Sequence, residues 1–344
     1  TSIDYYSSPV QVPGTDWGYA EGKIDVSQYR FLSIKTDGTL WGMGLNSGGQ
    51  LGQGDQVSRS SPVQIPGTWS YVSGGGNWTS AINTDGELWM MGASGDGCLG
   101  QNEGGDVERS SPVQVPGTTW SKVFDGQNSI SAIKTDGTLW MWGSNTEGML
   151  GQNQGPSAQY SSPVQVGSGT DWSNMGLTSN SWTGVKTDGT LWACGRNDDG
   201  ALGDSTKVHK SSPVQVGSAT DWSVTVGGYY AHAAALKTDG TLWSWGYNDH
   251  GQLGQNNRTE YESPVQVPGT TWSKLAAGNQ DLVAVKTDGT LWAWGSNNRG
   301  QLGQNIGGQP GRRSSPAQIP GTNWSFVVGS VESGGTHFAI EQTT

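Results

Sequence analysis

TDGTLWAWGSNNRGQLGQN, running from Thr287 to Asn305, reads as a turn, a strand and a loop. Asp-Gly is the strongest two-residue hairpin signal, because both of its positions are expected at φ > 0. Trp292 and Trp294 stand two apart, so on a strand they share one face. The glycine-rich polar run that follows reads as a loop. Working outward, TDG recurs with its aspartate at Asp37, Asp85, Asp136, Asp188, Asp239 and Asp288. SPVQV, or a near copy, starts its proline at Pro9, Pro62, Pro112, Pro163, Pro213, Pro264 and Pro316, at spacings of 50 to 53. A tryptophan follows each: Trp17, Trp69, Trp120, Trp172, Trp222, Trp272 and Trp324.

Each unit reads as four short strands. The first begins at that tryptophan, as in Trp272–Ala277. The second ends in AIKT or AVKT. The third is TLWxWG and the fourth PVQV, whose leading proline is tolerated at a strand start. Four strands per ~50 residues, repeated, is the signature of a β-propeller. The expectation is an all-β single domain over 1–344, a seven-bladed β-propeller. Only six LWxxG strands exist, and the chain ends in HFAIEQ (His337–Gln342). The last blade should therefore be shared, with 324–342 from one end and Ser8–Val12 from the other.

Composition narrows the function. The 344 residues hold 56 glycines and 18 tryptophans, and 14% are charged, with a formal net charge of −11. Lys+Arg 18 against Asp+Glu 29 leaves no electrostatic footprint for nucleic acid. No apolar run approaches the ~18 residues of a membrane span, and no charged-then-apolar leader precedes the repeats. Two cysteines in inequivalent repeat positions, Cys98 and Cys194, are expected to stay unpaired. Gly95, Gly97 and Gly100 spell GxGxxG but open no helix, so the dinucleotide reading fails its context. No metal-ligand spacing occurs among the histidines. No cofactor, no metal and no catalytic site are expected.

The phrases TDGTLWAWGSNNRGQLGQN and SSPVQVPGTTW (Ser110 to Trp120) resemble the regulator of chromosome condensation repeat family. The resemblance implies a seven-bladed propeller. Members include an exchange factor for a small GTPase, a plant ultraviolet photoreceptor and a secreted bacterial β-lactamase inhibitor. The wording of the near-identical repeats is closest in style to copies in marine bacteriophage structural proteins. That style implies a non-catalytic binding or assembly role in a virion, as a tail, fibre or decoration protein engaging a protein or cell-surface glycan. The alternative is a secreted, extracellular protein-binding inhibitor, and after it a GTPase exchange factor. The photoreceptor's Gly-Trp-Arg-His-Thr phrase is absent, as is a basic N-terminal tail.

Candidate recognition residues are those where the repeat fails to repeat. Five positions before the lysine of AIKTDG stand Arg30, Trp78, Ser129, Ser181, His232, Asp281 and Thr336. One earlier stand Tyr29, Asn77, Asn128, Asn180, Ala231, Gln280 and Gly335. These fall in the turn between first and second strands, around the central opening. With the nearby Trp182, Tyr229, Tyr230 and His337, they form a diverse ring suited to a partner. Trp78 and Trp182 lie off the tryptophan register, so at least one is expected to be exposed, whereas Trp140, Trp243 and Trp292 are expected between blades. A second ring, three residues before each SPVQV proline, alternates Tyr6, Arg59, Arg109, Tyr160, Lys210, Tyr261 and Arg313, and is read as blade-edge packing. The TDG aspartates are read as turn residues.

Overall fold

A computed structural model of the chain describes residues 16–18, 20–27, 29–104, 107–155, 159–304, 311–330 and 337–341. Six antiparallel four-stranded sheets follow one another. Blade 1 is β1(Ile24–Ser27), β2(Arg30–Ile34), β3(Leu40–Gly44) and β4(Arg59–Ile65). Blade 2 is β5(Trp69–Gly74), β6(Trp78–Asn83), β7(Leu88–Ser94) and β8(Val107–Gln114). Blade 3 is β9(Trp120–Asp125), β10(Ser129–Lys134), β11(Leu139–Gly143) and β12(Tyr160–Gln165). Blade 4 is β13(Trp172–Leu177), β14(Ser181–Lys186), β15(Leu191–Gly195) and β16(Lys210–Gln215). Blade 5 is β17(Trp222–Gly228), β18(His232–Lys237), β19(Leu242–Gly246) and β20(Tyr261–Gln266). Blade 6 is β21(Trp272–Ala277), β22(Asp281–Lys286), β23(Leu291–Gly295) and β24(Arg313–Ile319).

β25(Trp324–Gly329) and β26(His337–Glu341) form a two-stranded sheet. Among the described residues there are thus six complete blades, where seven were expected; Ser8–Val12 lies outside the described residues. β25 packs against β21 and β22 on one side and β1 on the other, so the ring of inner strands closes. Neighbouring sheets pack face to face, and each of the seven seams has its own apolar cluster. At the seam of blades 2 and 3, Ile82 and Leu88 meet Trp120, Ile130 and Trp142. Burying such aromatics removes ~150–250 Å² each from water, the main driving force for closing a seam.

The TDG hairpin differs from the expected two-residue turn. In blade 1 the loop is Thr36-Asp37-Gly38, closed by Lys35 N–H to Thr39 O at 2.8 Å and Gly38 N–H to Lys35 O at 2.9 Å. Only the glycine takes positive φ, 83° at Gly38. This is the three-residue hairpin in which a left-handed residue follows an ordinary turn.

Candidate functional site

The two ends of the ring are built differently. One carries the TDG hairpins and is called here the turn face. In blade 6, Asp288 Oδ1 accepts from Thr290 N–H at 3.0 Å and from its hydroxyl at 2.7 Å. Thr290 Oγ1 in turn accepts from Trp292 Nε1 at 2.9 Å. The chain of bonds recurs in blades 1, 3, 4 and 5. The hydroxyl of Thr290 holds the Asp288 carboxyl below its usual range. Beside it, the Lys286 ammonium lies 4.7 Å from the Trp272 ring and 4.6 Å from the Trp292 ring. Trp140, Trp243 and Trp292 are therefore half-buried walls of lysine boxes that also pack against the seam clusters without being fully buried in them. Their neighbours two positions on, Trp142, Trp245 and Trp294, fill the seams instead. Blade 2 departs in a matched pair: Asn83 replaces the lysine and Glu87 the threonine, and Asn83 Nδ2 donates to Glu87 Oε2 at 2.7 Å.

The other end, the loop face, gathers the turns between first and second strands. The expected ring is one residue too deep. Arg30, Trp78, Ser129, Ser181, His232 and Asp281 begin the second strands and are all buried; Thr336 lies outside the described residues. Arg30, Trp78, Ser129, Ser181, His232 and Asp281 each pair with the glycine of LWxxG, as Asp281 does with Gly295. That glycine is obligatory: at Gly295, φ is 105° and a Cβ would lie 2.4 Å from Gln280 O. Each side chain is then driven into the blade rather than toward solvent.

Once buried, each needs an internal partner. Arg30 donates to the carbonyls of Gly75 at 2.7 Å, Trp78 at 2.8 Å and Gly76 at 3.3 Å, stitching blade 1 to blade 2. Asp281 hydrogen-bonds His337 across the seam from blade 6 to β26. His232 lies beside them, and burial pushes its pKa down to about 4.

Trp182 is also fully buried, and the reason was open to sequence reasoning. Trp142, Trp245 and Trp294 each donate Nε1 to a carbonyl in the preceding blade's Gly-x-Leu-Gly loop: Cys98, Ala201 and Gln252. In blade 4 the corresponding residue is Cys194. Trp182 sits opposite it on the adjacent strand and donates to Met149 O at 2.6 Å, in the same loop position. The indole has changed strands and kept its bond. Neither off-register tryptophan is exposed, Trp78 being 4% accessible.

The second ring has partners inside each blade. Arg59 pairs with Asp55 at 2.6 Å, Arg109 with Glu103 at 2.6 Å, and Lys210 with Asp204 at 3.5 Å. Where the residue is tyrosine the partner is an amide: Tyr160 hydroxyl donates to Gln154 at 2.8 Å, and Asn257 donates to Tyr261 at 2.9 Å. These pins fasten the long loop to the outer strand; Tyr6 lies outside the described residues.

What remains variable and outward-facing is the outer layer of the loop face. Asn77 is exposed and Asn128, Asn180 and Gln280 are half-buried. Tyr29 and Tyr230 are exposed, at 49% and 44%. Blade 5 is distinctive: fifteen positions separate Trp222 from Lys237, against fourteen from Trp272 to Lys286. The extra residue is absorbed by a Tyr229-Tyr230-Ala231 loop with Ala231 at φ 50°. Its N–H groups at Tyr229 and Tyr230 reach Gly278 O and Asn279 O, each at 3.3 Å. The Tyr229 hydroxyl accepts from Gln127 of blade 3 at 3.1 Å, passing over blade 4. Tyr230 stacks on Tyr247 at 6.0 Å, and Tyr247 lies 6.4 Å from His250. The alphabet of this loop, doubled tyrosine plus an inserted residue, was the legible signal.

Inner strands of all seven sheets line an axial channel of about 410 Å³. Two carboxyls project into its wall. Desolvation raises Asp25 to about 7 and Asp125 to about 6, against the bonds they accept from Gly74 N–H and Ser80 Oγ. Among the described residues no group of three metal-ligating side chains converges, and no helix is long and apolar enough to cross a membrane.

Models described as the Regulator of chromosome condensation (RCC1) repeat match residues 37–82, 188–236, 239–285 and 288–340, more than half of the chain. The chain belongs to the RCC1 repeat family. Each of these four matches in this RCC1-repeat propeller starts at a TDG aspartate, so the unit they describe comprises strands three and four of one blade and strands one and two of the next; a second model of the same repeat matches residues 224–252 and 272–301. The chain is 30% identical over 146 residues to the ultraviolet-B receptor UVR8 of Arabidopsis thaliana, covering 41% of this chain and 32% of the receptor. It is 26% identical over 255 residues to the human E3 ubiquitin-protein ligase HERC2, covering 70% of this chain and 5% of the ligase. The matched stretches thus span a third or less of these relatives. Among solved structures, human WBSCR16 superposes with a TM-score of 0.80 at 22% identity, covering 94% of this chain and 86% of that one. Prp20p of Saccharomyces cerevisiae, studied for its binding to Gsp1p and histones, gives 0.78 at 18% identity, covering 93% and 82%. At these identities the likeness is one of fold.

Proposed function

We propose that this RCC1-repeat propeller is a non-catalytic binding module whose loop face, centred on the blade 5 tyrosines, engages a protein partner. One observation carries the reading. The departures from the repeat at Arg30, Asn83, Trp182, Asp281 and the second ring are each answered by a partner inside the molecule. Tyr230 is held by Asn279 O and by the Tyr247 ring, yet it stays 44% exposed, and exposed aromatics on a rigid scaffold are what partner surfaces use. A photo-crosslinking amino acid at Tyr230 should capture one defined partner in the native source, and the same group at Thr238 on the turn face should not. Equal capture from both positions, or capture from Thr238 alone, overturns the reading.

We further propose, from the repeats' resemblance in wording to bacteriophage structural proteins alone, that the chain is a virion component; mass spectrometry of purified particles tests this, and its absence from them rejects it. We further infer that Ser8–Val12 completes the sheet of β25 and β26 as a seventh blade. Deleting 1–12 should then lower the melting temperature and promote aggregation through the uncovered edge; an unchanged melt rejects the closure.

A further inference from the structure

We propose that Tyr230, Tyr247 and Asp249 form a seat for the cationic side chain, lysine or arginine, of a protein partner. This rests on the reading of the loop face above. The molecule itself shows the chemistry. On the turn face, Lys237 Nζ lies 4.8 Å from the Trp222 ring and 5.1 Å from the Trp243 ring, with Asp221 at 3.0 Å. Lys186 repeats this with Trp172, Trp192 and Asp171. Two rings about 6 Å apart and one carboxylate are the fold's way of holding an ammonium.

The loop face presents the same ingredients without the cation. The Tyr230 and Tyr247 rings are 6.0 Å apart and near-parallel at 29°, so a cation rests on the exposed Tyr230 ring rather than between the two. The Tyr247 hydroxyl donates to Asp249 Oδ2 at 3.0 Å, which fixes that exposed carboxylate beside the rings. Burial first, then Asp249 and Asp199, push the Tyr247 hydroxyl up to about 12, so it stays a neutral donor. Of the nearby cations, Arg196 is engaged by Asp198 and Asp199 and Lys207 by Glu260, while Arg258 and Arg312 lie toward His250. Among the described residues none is seated over Tyr230 or Tyr247. Burial, followed by Arg312, disfavours the charged form of His250, so it supplies no competing charge at neutral pH. A chain of net charge −11 adds long-range attraction for a basic segment.

The test uses fluorescence anisotropy of the full chain with labelled peptides of alternating Gly-Ser and arginine, or Gly-Ser and lysine. Citrulline and acetyl-lysine versions serve as neutral controls. Tyr230→Leu and Asp249→Asn should each weaken the charged peptides about fivefold, the factor an exposed cation–π contact provides. Asp288→Asn, an equal charge change on the turn face that keeps the Oδ1 acceptor, should leave binding unchanged, and the neutral peptides should not bind. Thermal melts confirm that all three variants fold. Equal weakening by Asp249→Asn and Asp288→Asn, binding of the neutral peptides, or no binding by the wild type overturns the seat. Crosslinking at Tyr230 is independent of the peptides, so a surviving crosslink with failed peptide arms removes the cation seat and leaves the face reading standing.

Discussion

The turn face and the loop face of this ring are made from the same repeats, yet one is nearly uniform and the other is not. Asp, Thr, Trp and Lys on the turn face form one closed set of contacts within blades 1, 3, 4, 5 and 6. Changing a single member breaks the set, so the set varies only in concert, as at Asn83 and Glu87. On the loop face the buried residues look across a seam, and Arg30, Asp281 and Trp182 each answer a different neighbour. Arg30 meets three carbonyls, Asp281 meets His337, and Trp182 replaces the indole missing at Cys194. Diversity there is therefore a record of seam chemistry in its buried layer, and of exposure to something outside only in its outer layer.

The sharpest way to break this comparison is Trp182→Leu. Emptying a fully buried tryptophan site should cost about 3–5 kcal/mol. Adding Cys194→Trp, which restores the arrangement of Leu282 opposite Trp294 in blade 6, should recover more than half of that loss in a double-mutant cycle of denaturant melts. Additive losses would mean the two positions are not exchanging one indole. Arg30→Met comes next. It takes the arginine donor from the Gly75 and Gly76 carbonyls and one of two donors from the Trp78 carbonyl, which keeps Gly75 N–H, and should cost about 3 kcal/mol by the same melts; a change below 1 kcal/mol would make the stitch superficial.

The channel carboxyls sharpen the picture through pH. Asp25 and Asp125 titrate above the ordinary 3.8 in the folded ring, so the fold binds more protons than the unfolded chain between about pH 4 and 7. They therefore oppose folding as pH rises through that window. His232, depressed to about 4, acts the other way, destabilising the fold as pH falls below 6.5. Asp25→Asn and Asp125→Asn should raise the melting temperature at pH 7.5 more than at pH 5, leaving the histidine's acid limb intact. Equal shifts at both values would show that the carboxyls are not desolvated. The smallest expected effect is at Tyr230→Ala, within about 0.5 kcal/mol in stability because the residue is 44% exposed and its ring meets only surface tyrosines. A loss comparable to Arg30→Met would make that tyrosine another seam residue.

The four strands per blade, the positions of the hairpins and the inner-to-outer order within a blade were legible because alternation and turn chemistry are local, whereas the seventh blade is seen only as the β25–β26 pair among the described residues. The placement of β21 at Trp272–Ala277 followed directly. What was not legible was depth. Arg30, His232 and Asp281 are polar and variable, which reads as loop. The glycine opposite each one turns it inward, toward a blade about fifty residues distant. Trp182 is the instructive miss: read alone it is an anomaly, but read with Cys194 twelve positions later it is half of a substitution. The doubled tyrosine of blade 5 was legible as a departure, and its outward direction follows from the inserted residue, which has no counterpart in the neighbouring strands.

The offset between sequence unit and blade has a consequence for how such a gene can change. Recombination between near-identical TDG phrases would add or remove units that begin at the turn aspartate. Trp182 lies just before the boundary at Asp188 and Cys194 just after it, although the two face each other in one sheet. Duplicating or deleting the unit that starts at Asp188 would place a cysteine opposite an aliphatic residue, or a tryptophan opposite a tryptophan. The unit boundary inside blade 4 is thus locked, while the boundaries inside blades 5 and 6, where Ala233 faces Trp245 and Leu282 faces Trp294, remain interchangeable.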